Sequence, residues 1–215
     1  MWCIGKIDAE YRSRMYNILE LYSRPYNPVE PVVGTDEKSK QLLENIRKIL
    51  FGKVRKTDYE YKRCGTRNIF LAVEPLAGRR FVQVTTHRKK GDFAHYIRML
   101  VDIIYKDAKK IHLVLDNLNT HFKKSFIETF GEAEAARILE KIEFHYTPKH
   151  ASWLNVAEIE IGIMDKQCLS RRIPTEEKMI KELEIWQKKR NEAKSKIIWK
   201  FSKQEADEKL SKHYT

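Results

Sequence analysis

The chain has 215 residues, 42% of them hydrophobic, and a formal charge of +12 from 42 Lys and Arg against 30 Asp and Glu. That is enough apolar material for one main domain with an ordinary core. No stretch approaches the roughly 18 uncharged apolar residues that cross a bilayer, and Met1–Gly5 is too short for a signal peptide's apolar region, so a cytoplasmic, membrane-free protein is expected.

In chain order, residues 8–22 have the spacing of a short amphipathic helix, stopped by Pro25, Pro28 and Pro31 in a stretch that reads as a linker. Residues 1–30 thus form an N-terminal unit. Val32–Asp36 reads as a short buried strand, followed by a mobile basic segment. Asn68–Val73 and Arg80–Thr85 read as strands around the hairpin turn Glu74–Gly78. Gly91–Tyr105 carries Phe93, Tyr96, Ile97, Leu100, Ile103 and Ile104 at helical spacing, and Ile111–Leu115 is a compact apolar strand. A helical stretch covers Lys123–Lys141, Ile142–Tyr146 is another strand, and Asn155–Arg171 and Glu176–Lys200 are helices. The pattern predicts an α/β fold whose first and fourth strands lie side by side and parallel.

The positive charge is concentrated. Residues 38–67 hold ten Lys or Arg against Glu44, Asp58 and Glu60, and residues 186–203 hold seven, among them Lys188, Lys189 and Arg190, against Glu192 alone. Such clusters beside Tyr59, Tyr61, Trp186 and Trp199 suit a phosphate backbone, although a Lys-rich helix alone is as readily a solvated face. Cys3, Cys64 and Cys168 form neither a disulfide framework nor a Cys-x-x-Cys pair, and reduced structural thiols are expected.

Three acids stand in telling contexts: Asp36 in Gly-Thr-Asp-Glu, Asp116 closing Ile-His-Leu-Val-Leu-Asp, and Glu158 in Leu-Asn-Val-Ala-Glu. A carboxylate at the end of a buried strand needs a counter-charge, and a divalent cation supplies a large one. Adjacent strands lie about 4.8 Å apart, so Asp36 and Asp116 at one level can share an ion. Oxygen ligands favour Mg²⁺, with Mn²⁺ as substitute, over zinc. Two such ions serve the attacking and the leaving oxygen of a phosphodiester.

Two of the acids have rivals. Glu37 competes with Asp36, and Asp36 can equally be a turn former. Glu158 and Glu160 both border one apolar helical stripe, so periodicity does not choose between them, and Asn155 followed by Glu158 also fits a capping box. Asn117 and His121 suit either a turn and helix cap or contacts supporting the metal or DNA. His145 and His150 lack a cysteine pair or tight ligand spacing, so zinc is not expected there. Trp153 reads as core.

Together, Leu-Tyr-Ser-Arg-Pro-Tyr-Asn-Pro (21–28), Thr-Asp-Glu-Lys (35–38), Asn-Ile-Phe-Leu-Ala-Val-Glu-Pro-Leu (68–76), Asp-Asn-Leu-Asn-Thr-His (116–121) and Tyr-Thr-Pro-Lys-His-Ala-Ser-Trp-Leu-Asn-Val-Ala-Glu (146–158) resemble DDE transposases of bacterial insertion sequences, the six-thirty group related to mariner. The resemblance implies a ribonuclease H-like domain over residues 31–172 and a basic helical extension over 173–215. It implies Asp36, Asp116 and Glu158 as the catalytic, metal-holding acids, two Mg²⁺ ions, and a homodimer on DNA in a cytoplasmic, nucleoid-associated setting. The implied reaction is cleavage of transposon ends followed by strand transfer into TA-containing DNA.

Two departures stand out. Only 35 residues precede Asp36, too few for the relatives' paired helix-turn-helix modules, so end recognition is expected to be supplied elsewhere or lost, as in a truncated or split copy. The 41 residues between Asp116 and Glu158 exceed what is common among mariner relatives, an excess that the helical stretch around Gly131–Lys141 can absorb. A remnant that binds DNA without cutting, and a two-metal nuclease without strand transfer, are the competing readings.

Overall fold

A computed structural model describes residues 6–46, 59–116 and 123–215. Five strands form one mixed sheet in the order β3-β2-β1-β4-β5: β1 is Val32–Asn45, β2 Tyr61–Glu74, β3 Arg79–Thr85, β4 Ile111–Leu115 and β5 Ile142–Tyr146. β1, β2 and β3 pair antiparallel, whereas β4 runs parallel to both β1 and β5. The expected side-by-side pairing of first and fourth strands is therefore present.

The helices divide between the faces because the strands alternate. Ile69, Leu71 and Val73 of β2 join one core with α1 (Ala9–Ser23), α5 (Val156–Met164) and α6 (Glu176–Glu192). Phe70 and Ala72 join the other with α2 (Lys90–Met99), α3 (Lys123–Phe130) and α4 (Glu132–Glu140). This period of two, with both faces covered, is what a sheet buried between two helical layers requires.

Several limits differ from the sequence reading. β1 does not stop at Asp36 but continues to Asn45, pairing with β2 as far as Tyr61. This extension replaces the expected mobile segment, at least through Asn45. The single helix expected over Lys123–Lys141 breaks at Gly131, whose φ of 80° favours glycine. α2 and α5 each end in a π-helical turn, Leu100–Ile104 and Asp165–Leu169. α6 ends at Glu192 rather than Lys200, with Lys194 left-handed at φ 45°, and α7 (Lys203–Leu210) was not foreseen.

α6 packs on the sheet. The side-chain oxygens of Asn191 and Gln187 accept the backbone N–H of Arg80 and Val82, both at 2.7 Å, covering the outer rim of β3. Trp153 is 41% exposed, edge-on to Phe201, rather than core. Cys64 and Cys168 are free thiols, as read, while Cys3 lies outside the described residues.

Candidate active site

Asp36 lies on β1 and Asp116 directly follows β4. The parallel register of the two strands pairs Val32 with His112 and Gly34 with Val114. Each acid lies two residues beyond the last pair, Gly34 and Val114. β4 ends at Leu115, so the chain stops pairing where Asp116 begins and the neighbourhood of Asp36 opens on that side. Both acids are partly buried.

The third acid arrives on α5, whose N-terminus lies directly on β1. A Cβ added to Gly34 would come within 2.4 Å of Val156 Cγ1 and 3.2 Å of the Ala157 backbone nitrogen, so only glycine allows so close an approach. Asn155 caps the helix by accepting the Ala157 N–H at 3.1 Å, while its Nδ2 donates to the Thr35 carbonyl at 3.2 Å and to Asp36 Oδ2 at 3.3 Å. Asp36 Oδ1 accepts the Glu37 N–H at 2.8 Å. Asn155 thus ties the start of α5 to the first acid. Tyr22, from α1, holds the same turn: its hydroxyl donates to the Leu154 carbonyl at 2.9 Å and accepts the Val156 N–H at 3.2 Å. Burial pushes the Tyr22 phenol well up, which keeps it a donor.

Glu158, in the first turn of α5, is exposed at this end, where the helix's unpaired N–H groups favour negative charge. The capping-box alternative is not realised, because the Asn155 N–H goes to the Ser152 carbonyl at 2.8 Å. Glu160 has a different task. It is fully buried and holds Arg80 through two bonds of 2.9 Å and Arg190 through bonds of 3.0 and 3.2 Å. Periodicity left the two glutamates equivalent; their partners separate them.

Among the described residues, the three acids do not form a group whose ligand atoms all lie within 4.8 Å of one another. A two-ion site does not require it, since its ions stand roughly 3.5 to 4 Å apart and the outer carboxylates need not touch. The donor set is oxygen only, which fits a hard divalent cation.

Of the other candidates, Asn117 and His121 lie outside the described residues. Lys188 and Lys189 are exposed on α6, which packs beside β3, two strands away from β1. Arg190 is engaged with the buried Glu160. Sequence reasoning missed Tyr22 and the Asn155–Asp36 contact; Asn155 itself was visible as a cap.

A family model described as DDE superfamily endonuclease matches residues 31–180. The chain belongs to that family. Among solved structures, this DDE endonuclease is similar to the Mos1 mariner paired-end complex with Mn, at 14% identity and a TM-score of 0.61 over 91% of this chain and 60% of that one. It is also similar to the Mos1 strand transfer complex, at 14% identity and a TM-score of 0.57 over 87% and 57%, and to a pre-cleavage Mos1 transpososome, at 14% identity and a TM-score of 0.55 over 91% and 64%. At such identity the likeness establishes the ribonuclease H-like fold. The chain spans about 60% of the Mos1 chain it matches best among these. No curated protein matches the sequence.

Proposed function

We propose that this DDE endonuclease is the catalytic domain of a transposase that cuts DNA at element ends and joins the freed 3′ ends to target DNA. The observation that supports the reading is the close approach of the start of α5, which carries Glu158 in its first turn, to β1 at Gly34, two residues before Asp36. Supporting it are the family membership and the oxygen-only donor set.

In this reading Asp36, Asp116 and Glu158 hold two Mg²⁺ ions, or Mn²⁺ in their place. When bound, such ions supply Lewis acidity and charge to the attacking and leaving oxygens of a phosphodiester. The protein's own part is positional. β1 and β4 fix two carboxylates through their register, Asn155 orients Asp36, and Tyr22 fixes the turn from which Glu158 projects. Rigid placement on strands and a capped helix keeps the geometry constant from cleavage to joining. DNA is the proposed partner, with TA-containing duplex as target and a homodimer as the working form. The basic segments at residues 38–67 and 186–203 would follow the backbone.

The test is nicking and joining of a labelled duplex in Mg²⁺. Asp116→Asn, which keeps shape and removes charge, should lower both activities about a hundredfold or more. Equal cleavage by parent and variant would rule out the assignment of this site. Nicking without joining of the labelled 3′ end would favour a nuclease, and neither activity in the parent chain would favour a DNA-binding remnant.

A further inference from the structure

A second group of ligand-type side chains lies beneath α1, on the sheet face that α1 and α5 share, at the side of β4 away from β1. His112 of β4 and Glu143 and His145 of β5 share that face, because β4 and β5 pair His112 with Glu143 and Val114 with His145. His112 Nδ1 and His145 Nε2 are 3.1 Å apart, and the Glu143 carboxylate oxygens lie 3.5 Å from the first and 3.4 Å from the second. Among the described residues it is the one trio whose ligand atoms all lie within 4.8 Å of one another.

We propose that His112, Glu143 and His145 bind one zinc-class divalent cation. The ring nitrogens are 3.1 Å apart and each faces its own Glu143 oxygen, Oε2 at 3.5 Å from His112 Nδ1 and Oε1 at 3.4 Å from His145 Nε2, spacings close to the roughly 3.3 Å between neighbouring ligands of a tetrahedral ion with bonds of about 2 Å. One such ion would take a nitrogen from each ring and the carboxylate, leaving a further position for water. His145 is set for the role by its other nitrogen: Nδ1 lies 2.6 Å from Asn17 Oδ1 of α1, the arrangement that leaves the Nε2 lone pair facing His112 and Glu143. Both rings are buried, which disfavours their charged forms and leaves them neutral, as ligands must be. Glu143, 53% exposed, provides the entry.

The rival reading is a plain hydrogen bond between the two rings. It leaves the carboxylate facing two neutral imidazoles that share a single proton between them, whereas a cation satisfies all three groups. His–Glu–His ligation selects a borderline ion, in contrast to the hard ion that Asp36, Asp116 and Glu158 favour. An ion here would clasp β4 to β5 beneath α1, four residues before Asp116. Such an ion takes no part in the cleavage reaction.

The test uses the full chain carrying Asp36→Asn and Asp116→Asn, which silences the acidic site, stripped with chelator and titrated with Co²⁺. The expected result is one equivalent of Co²⁺ giving the intense visible absorption of four-coordinate cobalt, displaced by Zn²⁺ and undisturbed by millimolar Mg²⁺, with a rise in Tm on Zn²⁺ addition. His145→Ala should weaken binding about a hundredfold and Glu143→Gln about tenfold. Because Glu143 is half exposed, its variant should fold normally, which circular dichroism checks. No four-coordinate cobalt spectrum, or one with unchanged affinity in Glu143→Gln, overturns the assignment.

Discussion

Two glutamates two residues apart on α5 have opposite surroundings. Glu160 sits fully buried between two arginines, and removing one partner from such a group strands charge in the core at a cost of about 3–5 kcal/mol. Glu158 is exposed at the helix start. Glu160→Gln should therefore lower Tm by many degrees, whereas Glu158→Gln should leave Tm within a degree or two and abolish cleavage in Mg²⁺. Thermal melts and the nicking assay on both variants check this, and a reversed pattern would exchange their roles. Glu74 offers a pH-dependent counterpart. It is buried, with Arg79 3.7 Å away, and burial holds its carboxyl above the ordinary 4.5. A folded-state pKa above the unfolded value gives stability that is fully present below 4.5 and lost as pH rises through the folded value. Glu74→Gln should accordingly raise Tm more at pH 7 than at pH 4, and equal gains at both would contradict the burial account.

At the scale of elements, the contact between α5 and β1 is the joint on which the site depends. Gly34→Ala must push Val156 away from a 2.4 Å contact. Overpacking of this kind costs about 1–3 kcal/mol, and here it also moves Glu158 relative to Asp36. Cleavage by Gly34→Ala should fall at least tenfold at a temperature where circular dichroism shows it fully folded; activity that follows only the folded fraction would show that the joint does not set catalytic geometry. Strand limits were legible where burial imposed a pattern and not elsewhere. β4 has the limits read from sequence because all five of its residues are buried, and β5 because Ile142, Phe144 and Tyr146 face one core. β1 beyond Asp36 and β2 before Asn68 form a ribbon that reaches the core through Leu42 and is otherwise partly or fully exposed, so Glu37–Asn45 shows no apolar alternation to read. α6 ends early because Lys194 turns left-handed within a run of lysines that carries no stop signal.

Across the whole molecule, the first two acids are candidates because each stands in or directly after a buried strand, and the third because of a motif rather than periodicity. What stayed hidden were pairings between distant segments: Arg80 and Arg190 with Glu160, Tyr22 with the turn before α5, and His112 with His145, 33 residues away on the neighbouring strand. Local spacing could not find the last of these, which is why His145 was read together with His150 as lacking a ligand partner.

The side-chain amides of Gln187 and Asn191 occupy the outward N–H groups of Val82 and Arg80. They make the rim of β3 unavailable as a template for another polypeptide, which is how an edge in a sheet avoids self-association. Replacing both by Ala should expose two donors on an apolar strand and turn a dispersed protein into one that precipitates with concentration, visible as a rising scattering signal well below Tm. A double variant as soluble as the parent would mean that bulk cover by α6, not these two amides, keeps the chain from polymerising.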